Sequence, residues 1–445
     1  MKVIYNMLIA CFCLASLSIS AEVSSDAYPM LQGLKGNLIE PLKDGEHLMA
    51  KRIELIKNAK RSIYLSTFSI SPDEVGKDMF QVICAKAKEG LDVRLIIDNR
   101  ANKDYQDYAF KLKECTAHVI LFRPGSRMYA IHEKLLIIDG ETVITGGTGY
   151  TRTYKLHAFD SFKEEKLRED KLTHGWYDVD YQVTGATACS LHYQFQLNFK
   201  RLAMMVADYN PDVSWYGWDN FISMREEYYG LKKMPACGKK ISEMNVGNSK
   251  AVGIIGNPYV TNARPILKAH LGAISEASAQ TKKGSAKEIT LYAPYFVPGS
   301  KFVQALVAAH KAGVKIRVLT NSMESSDEKA YGKILFAAMI YAIRPLLKEG
   351  IEVRLWKEKS TLHRKGGVIG DMAYFGSDNL DNRAQEYQSE SVVYSDDSTI
   401  VEDMKKDFER DVTHSDLLDD KYVQDFMNSA SAIYKWVGRN FTKYF

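Results

Sequence analysis

The sequence predicts an α/β protein of two duplicated halves, each a mostly parallel mixed sheet flanked by helices. Three observations lead there. Strands and helices alternate along most of the chain, and the same order of elements occurs twice. Two segments, Ala85–Arg94 and Ala308–Arg317, are near copies at matching places.

The first half begins with an amphipathic helix, His47–Ala59, whose apolar residues recur three and four apart. Strand Ser62–Phe68, helix Gly76–Glu89 and strands Asp92–Ile97 and Ala117–Phe122 follow, and the last leads into Ile131-His132-Glu133-Lys134. The second half repeats this with helix Arg264–Ala277, strand Glu288–Tyr292, helix Lys301–Ala312 and strand Lys315–Leu319. Helix Lys329–Lys348 and strand Glu352–Trp356 then lead into Leu362-His363-Arg364-Lys365. Gly90 and Gly313 suit the left-handed residue that ends a helix before the next strand. Between the halves, Arg201–Lys250 holds an aromatic cluster (Tyr209, Trp215, Tyr216, Trp218, Phe221, Tyr228, Tyr229) and then a Gly, Lys and Ser-rich stretch. The halves are therefore expected over 22–245 and 246–445, the boundary falling near Val246. The charged stretch Lys155–Lys171 reads as a surface loop.

Residues 1–21 read as a cleaved export signal: Lys2, an apolar run from Met7 to Ile19, and small residues around Ala21. A lipoprotein cleavage box at Leu8-Ile9-Ala10-Cys11 and an uncleaved anchor are the weaker alternatives. A periplasmic or secreted location, with possible membrane association, is the corresponding expectation. The net charge of +4 is mild and does not suggest a surface that coats nucleic acid. Beyond Cys11 and Cys13 lie Cys84, Cys115, Cys189 and Cys237. None forms a C-x-x-C pair, so a zinc site is not expected. One or two disulfides are possible in an oxidising compartment, with the pairing open.

The chemistry-bearing pattern is also doubled. The first half carries His132-x-Lys134-x-x-x-x-Asp139 and then Gly146-Gly147. The second carries His363-x-Lys365 and then Gly376-Ser377-Asp378-Asn379-Leu380-Asp381, with Arg383 and Glu390 beyond. Residues two apart on a strand share a face, so each His projects beside its Lys. A lysine can hold the non-bridging oxygens of a phosphate while an imidazole attacks phosphorus or protonates a leaving oxygen. A lone strand histidine is most often structural; two such pairs at matching places point to function.

The chain thus resembles the phospholipase D superfamily, whose mark is a duplicated H-x-K-x-x-x-x-D motif followed by a G-S-x-N-like segment. Gly376–Arg383, Glu390 and Trp176–Gly185 look most like the bacterial cardiolipin synthase branch, and the likeness runs from about Gly45 to Asp411. The resemblance implies two α/β halves packed with both motifs in one cleft. It also implies a reaction through a phosphohistidine without metal or other cofactor. His132 would be the nucleophile and His363 the acid and base. Lys134, Lys365, Asn379 and Ser377 would hold the phosphate, Asp139 would belong to the catalytic motif, and Glu390, Asp178 and Asp371 would support it.

Two positions depart from the pattern. Gly149 stands where relatives often have Asn. Gly370 takes the second motif's Asp position, with Asp371 one residue late. Asp139 is an odd number of residues from the His-Lys face, so a turn role suits it better than direct participation. Asp139-Gly140 fits a type I′ hairpin and Gly370-Asp371 a type II′ hairpin. The return strand before Gly376 is expected to be one residue short, which puts its register in question.

Three functions are compatible with these residues: a phosphodiesterase or phosphatidyltransferase on phospholipids, which is favoured; an exported nuclease on the same fold; and a catalytically weakened lipid-binding protein. Phospholipid or a membrane surface is the expected partner, nucleic acid the alternative, and the oligomeric state is open. His47, His118, His157, His174, His192, His270, His310 and His414 lack motif context and read as structural or solvated. The aromatics of Tyr209–Tyr229 suit either core or a lipid-facing lid. The aromatic and basic stretch Tyr422–Phe445 could lie on a membrane, although packing against the body is favoured.

Overall fold

A computed structural model describes residues 33–99, 101–102, 115–122, 126, 128–155, 175–208, 234–327 and 332–444. Residues 1–21, expected to be an export signal, nearly all of the charged stretch Lys155–Lys171 and the aromatic segment Tyr209–Tyr229 lie outside the described residues.

The first half contributes β1 (Leu34–Leu42), β2 (Ser62–Thr67), β3 (Asp92–Asp98), β4 (His118–Phe122), β5 (Ala130–Ile131), β6 (Lys134–Ile138), β7 (Thr142–Gly146), β8 (Trp176–Tyr177) and β9 (Asp180–Thr184). The second contributes β10 (Ser249–Gly256), β11 (Glu288–Tyr292), β12 (Lys315–Asn321), β13 (Glu352–Trp356), β14 (Thr361–Leu362), β15 (Gly366–Ile369), β16 (Met372–Gly376), β17 (Gln388–Ser395) and β18 (Ser415–Leu417). Helices Gly45–Asn58, Glu74–Lys88, Pro265–Lys282, Ser300–Lys311 and Gly332–Lys348 agree with the sequence reading to within a few residues. Their ends have local causes. The Asp44 carboxylate accepts from the His47 amide at 2.7 Å, and the Asp73 carboxylate accepts from Val75 and Gly76. Gly90 and Gly313 take φ of 90° and 94°, the left-handed conformation that lets the chain leave a helix.

The large sheet runs β18-β13-β12-β11-β15-β16-β17-β10-β1-β9-β7-β6-β2-β3-β4. The sheet is mixed, as expected, with parallel pairing confined to β2-β3-β4 and β11-β12-β13; the other neighbours in this order are antiparallel, so the parallel share is smaller than expected. The cause lies in the connections. Helices link the parallel strands, but β6-β7 and β15-β16 are joined by tight turns, and a tight turn can only join antiparallel neighbours. β1 stitches the halves together. Leu38–Leu42 pairs with β9, while Leu34 and Asn37 reach β10.

Burial follows the duplication. One core underlies the first half around Leu48, Ile83 and Leu95, and another the second half around Leu291, Phe302 and Ile343. The third is shared: Tyr181, Leu191 and Phe195 of the first half close on Phe375, Val393 and Met404 of the second. The Tyr181 and Phe375 rings stack at 4.0 Å. Helices Ala186–Asp208 and Ser398–Val412 follow β9 and β17 and contribute to this shared core. Disulfides join Cys84 to Cys115 and Cys189 to Cys237, resolving the pairing that the sequence leaves open.

Candidate active site

Each motif histidine is held by the half to which it does not belong. β5, just before His132, pairs in parallel with β17 of the second half, Ile131 opposite Ser389. The His132 amide continues the ladder by donating to the Ser389 carbonyl at 2.9 Å. β14, just before His363, pairs in parallel with β8 of the first half, Leu362 opposite Tyr177, and the His363 amide donates to the Tyr177 carbonyl at 2.7 Å. The next residue on each partner strand is an acid. Glu390 Oε1 lies 2.8 Å from His132 Nδ1, and Asp178 Oδ2 lies 2.7 Å from His363 Nδ1. An Nδ1 engaged by a carboxylate fixes the ring and turns Nε2 toward other chemistry.

The lysines obey the same symmetry. Lys134 Nζ donates to the His132 carbonyl at 2.8 Å, and Lys365 Nζ donates to that of His363 at 2.5 Å. Lys365 Nζ also lies 2.8 and 3.0 Å from the two ring nitrogens of His363. All four side chains are buried. Burial holds the His132 imidazole well below the usual histidine range, reinforced by Lys134, Lys365, His363 and Arg383. The fields of His363 and Lys365 at His132 mark both motifs as parts of one site. Burial pushes Lys134 down to about 7, against the pull of Glu390 and with a push from Lys365. Lys365 is pushed down to about 8, opposed by Asp178 and Glu390.

These shifts set a sign for pH dependence. A depressed lysine loses its positive charge as pH rises, so a phosphate clamp built on Lys134 and Lys365 weakens through about pH 7 to 8. The free-enzyme profile, kcat/KM against pH, is expected to fall on that alkaline side. His132, already neutral, adds no acid limb until well below the usual histidine range. A profile flat through pH 10 would remove both lysines from phosphate binding.

A family model described as cardiolipin synthase, PLD-like domain, matches residues 52–162 and 279–412, the two duplicated halves. The chain belongs to the PLD-like family. Cardiolipin synthase 1 of Bacillus cereus is 26% identical over 388 residues, covering 84% of this chain and 66% of that protein. Cardiolipin synthase of Clostridium perfringens is 26% identical over 385 residues, covering 84% and 70%. The chain therefore spans about two thirds of the length of these curated relatives. Among solved structures, the phosphatidylserine synthase of Haemophilus influenzae aligns with a TM-score of 0.63 at 17% identity, covering 93% of this chain and 98% of that one, a likeness of fold.

Not every residue expected at the PLD-like site lies there. Asp139 is corrected. It sits at φ 56° in the turn after β6, and its carboxylate accepts from the Lys60, Arg61 and Ser62 amides at 2.8–2.9 Å. That is the far end of β6 from Lys134, roughly 16 Å at about 3.3 Å per residue. Asp371 is corrected too. It is exposed and bound by Lys287 Nζ at 2.7 Å, so it supports neither histidine. Ser377 is buried against Glu390, to which its hydroxyl donates, and it also accepts from the Ser391 amide. It orients an acid rather than holding phosphate. Asn379 is buried, and its Oδ1 has no hydrogen-bond partner among the described residues.

The departure at Gly370 is local to a turn. Gly370 repeats the positive φ of Asp139, at 65°. Ile138 pairs with Thr142 across a turn that includes Glu141, whereas Ile369 pairs with Met372 across Gly370-Asp371 alone. The missing residue is thus Glu141's counterpart, and β16 keeps its length. Gly146 opposes Asp180 two residues beyond Asp178, and Gly376 opposes Val392 two residues beyond Glu390. Register is therefore the same in both halves. At Gly149 a Cβ would lie 2.6 Å from Ser69 Oγ and 3.0 Å from a carbon of the Tyr154 ring. Tyr154 and Trp176 pack on His363 with centroids at 5.4 and 4.6 Å, and Phe68 meets His132 at 5.1 Å. Sequence reasoning missed these three aromatics. Trp176 sits inside a recognised segment and could have been found; Phe68 and Tyr154 carry no pattern.

The residue between His and Lys points the other way. Glu133, pushed up to about 7 by burial, contacts Ser389 and Asn198. Arg364 pairs with Asp407 at 2.9 Å and lies over the Tyr292 ring at 4.5 Å. Both tie the motif strands to the shared interior. Among the described residues no group of three or more His, Cys, Asp or Glu is placed to hold a metal ion.

Proposed function

We propose that the protein is a phospholipid phosphodiesterase or phosphatidyltransferase working through a phosphohistidine. The observation that carries this is the pair of crossed His–carboxylate contacts, His132 with Glu390 and His363 with Asp178, beside two buried lysines. His132 is the nucleophile: its ring is held neutral, so Nε2 has a lone pair to offer. Nε2 bonds to phosphorus, the bond from phosphorus to the leaving alcohol breaks, and His363 gives that oxygen its proton. A second alcohol or water then loses its proton to His363 and bonds to phosphorus, and the P–N bond breaks. Asp178 holds the His363 ring at Nδ1, which leaves Nε2 to carry the proton that the first step needs. Lys134, Lys365 and Asn379 hold the phosphoryl oxygens as charge builds.

A lipid substrate is supported by the cardiolipin synthases among the relatives and by a shallow, largely apolar recess. Phe296, Val297, Met323, Leu335 and Met339 line it, and so does Asn321. Asn321 brackets Leu362 with two hydrogen bonds, which sets the recess beside His363 and offers apolar surface to an acyl chain. Purified protein should be incubated with phospholipid vesicles and, separately, with nucleic acid, both in EDTA. Release or exchange of head group, undiminished by chelator, is expected. Cleavage of nucleic acid alone would replace the lipid reading with the nuclease one. Loss in EDTA restored by added zinc or magnesium would sink the two-histidine mechanism.

A further inference from the structure

The end of the chain is built in two faces. Helix Ala432–Asn440 turns Gly438 toward helix Gly332–Lys348, so close that a Cβ there would lie 2.8 Å from the Ala337 Cβ. That close seat fixes the rotation of the helix. The opposite face leaves Ile433 64% and Trp436 58% exposed. Phe441 and Tyr444 extend the line at 38% and 40% exposure, with ring centroids 5.4 Å from Trp436 to Phe441 and 5.8 Å from Phe441 to Tyr444. The stretch Ala430 to Phe445 has no Asp or Glu but carries Lys435, Arg439 and Lys443; Lys435 donates to the Met427 carbonyl, and Arg439 is exposed.

The face is also close to the chemistry. The turn Thr442–Tyr444 packs on helix Asn382–Glu386, which carries Arg383, one of the cations acting on His132. Helix Gly332–Lys348, on which the terminal helix rests, lines the apolar recess beside His363. We infer that Ile433, Trp436, Phe441 and Tyr444, with Arg439, form a docking face for an anionic lipid bilayer, which seats the rim of the cleft at the headgroup level. Trp and Tyr satisfy an apolar ring and a polar edge together at that depth, and an exposed arginine gains from anionic lipid. The purpose of the face rests on the lipid reading above, but its existence can be scored without turnover.

The test uses the full chain. Ile433→Ser/Trp436→Ala alters exposed side chains only, and circular dichroism checks the fold. Cosedimentation with phosphatidylglycerol-containing vesicles is expected to weaken roughly tenfold, with turnover on a short-chain soluble phosphodiester unchanged. Arg439→Ala should cost about fivefold on those vesicles and nothing on pure phosphatidylcholine. Vesicle binding equal to wild type in the double variant would overturn the inference. So would a change from dimer to monomer in sedimentation with vesicle binding intact, which would make this a self-association face. A chain that binds vesicles through this face yet cuts only nucleic acid would sink the lipid reading while leaving the docking face standing.

Discussion

Replacing either His132 or His363 by alanine is expected to lower turnover by ~10⁴-fold or more, with the double variant little worse than either single one. The expectation rests on the two rings belonging to one buried site, in which nucleophile and proton donor act on the same bond. Each ring makes one engaged contact to an acid and lies in the shared interior, so truncation costs packing as well. Circular dichroism and thermal melting must therefore accompany the rates, because a melted variant says nothing about mechanism. Single-turnover trapping adds a sharper readout. The His363→Ala chain retains a nucleophile and should form a phosphoryl-protein adduct with a substrate whose leaving group needs no proton. The His132→Ala chain should form none. Near-normal turnover by either variant would dismantle the site.

The second large effect concerns the acids that cross between the halves. Asp178→Asn and Glu390→Gln are nearly isosteric, so the fold should survive, yet each is expected to lose on the order of 10²–10³ in kcat. The two losses should differ in kind. Asp178 positions the proton-carrying His363, so Asp178→Asn should hurt substrates with an alcohol leaving group far more than those releasing a nitrophenolate. Glu390 positions the attacking His132, so Glu390→Gln should hurt both substrates alike. A purely structural role for the acids would move both substrates equally in both variants. The reverse pattern would exchange the roles of the two histidines.

The outer parts of this fold were readable because their signals are local. The helices from Gly45 and Glu74, and their copies from Pro265 and Ser300, follow from apolar spacing and caps; β11 and β13 agree with the sequence reading to the residue. The antiparallel centre was not readable. β1, β10 and the helix Ala186–Asp208 owe their placement to pairing and packing across the halves, and no periodicity within one half announces a partner in the other. The same holds at the site. His132, Lys134, His363 and Lys365 carry a doubled pattern, and Glu390 and Asp178 were named as supports. The exchange of supports between halves depends on the short strands β5 and β14, too brief to leave a signal. Asp139 shows the limit of motif reading: the residue recurs in the pattern, but a positive φ and three backbone amides account for it.

The exchanged acids also bear on descent. A chain holding only one half would carry a histidine without its carboxylate and a carboxylate without its histidine. Two copies related by a twofold axis would supply each other's missing group, as any isologous pair does. Fusion of two such copies removes the demand that both sites be identical. This molecule has used that licence: Asp178 holds in the first half the place that Glu390 holds in the second, Gly149 that of Asn379, and Asp180 that of Val392. It has not escaped the dependence. A lineage in which one half drifts must carry the other with it, since the acid that serves each histidine is inherited with the opposite half.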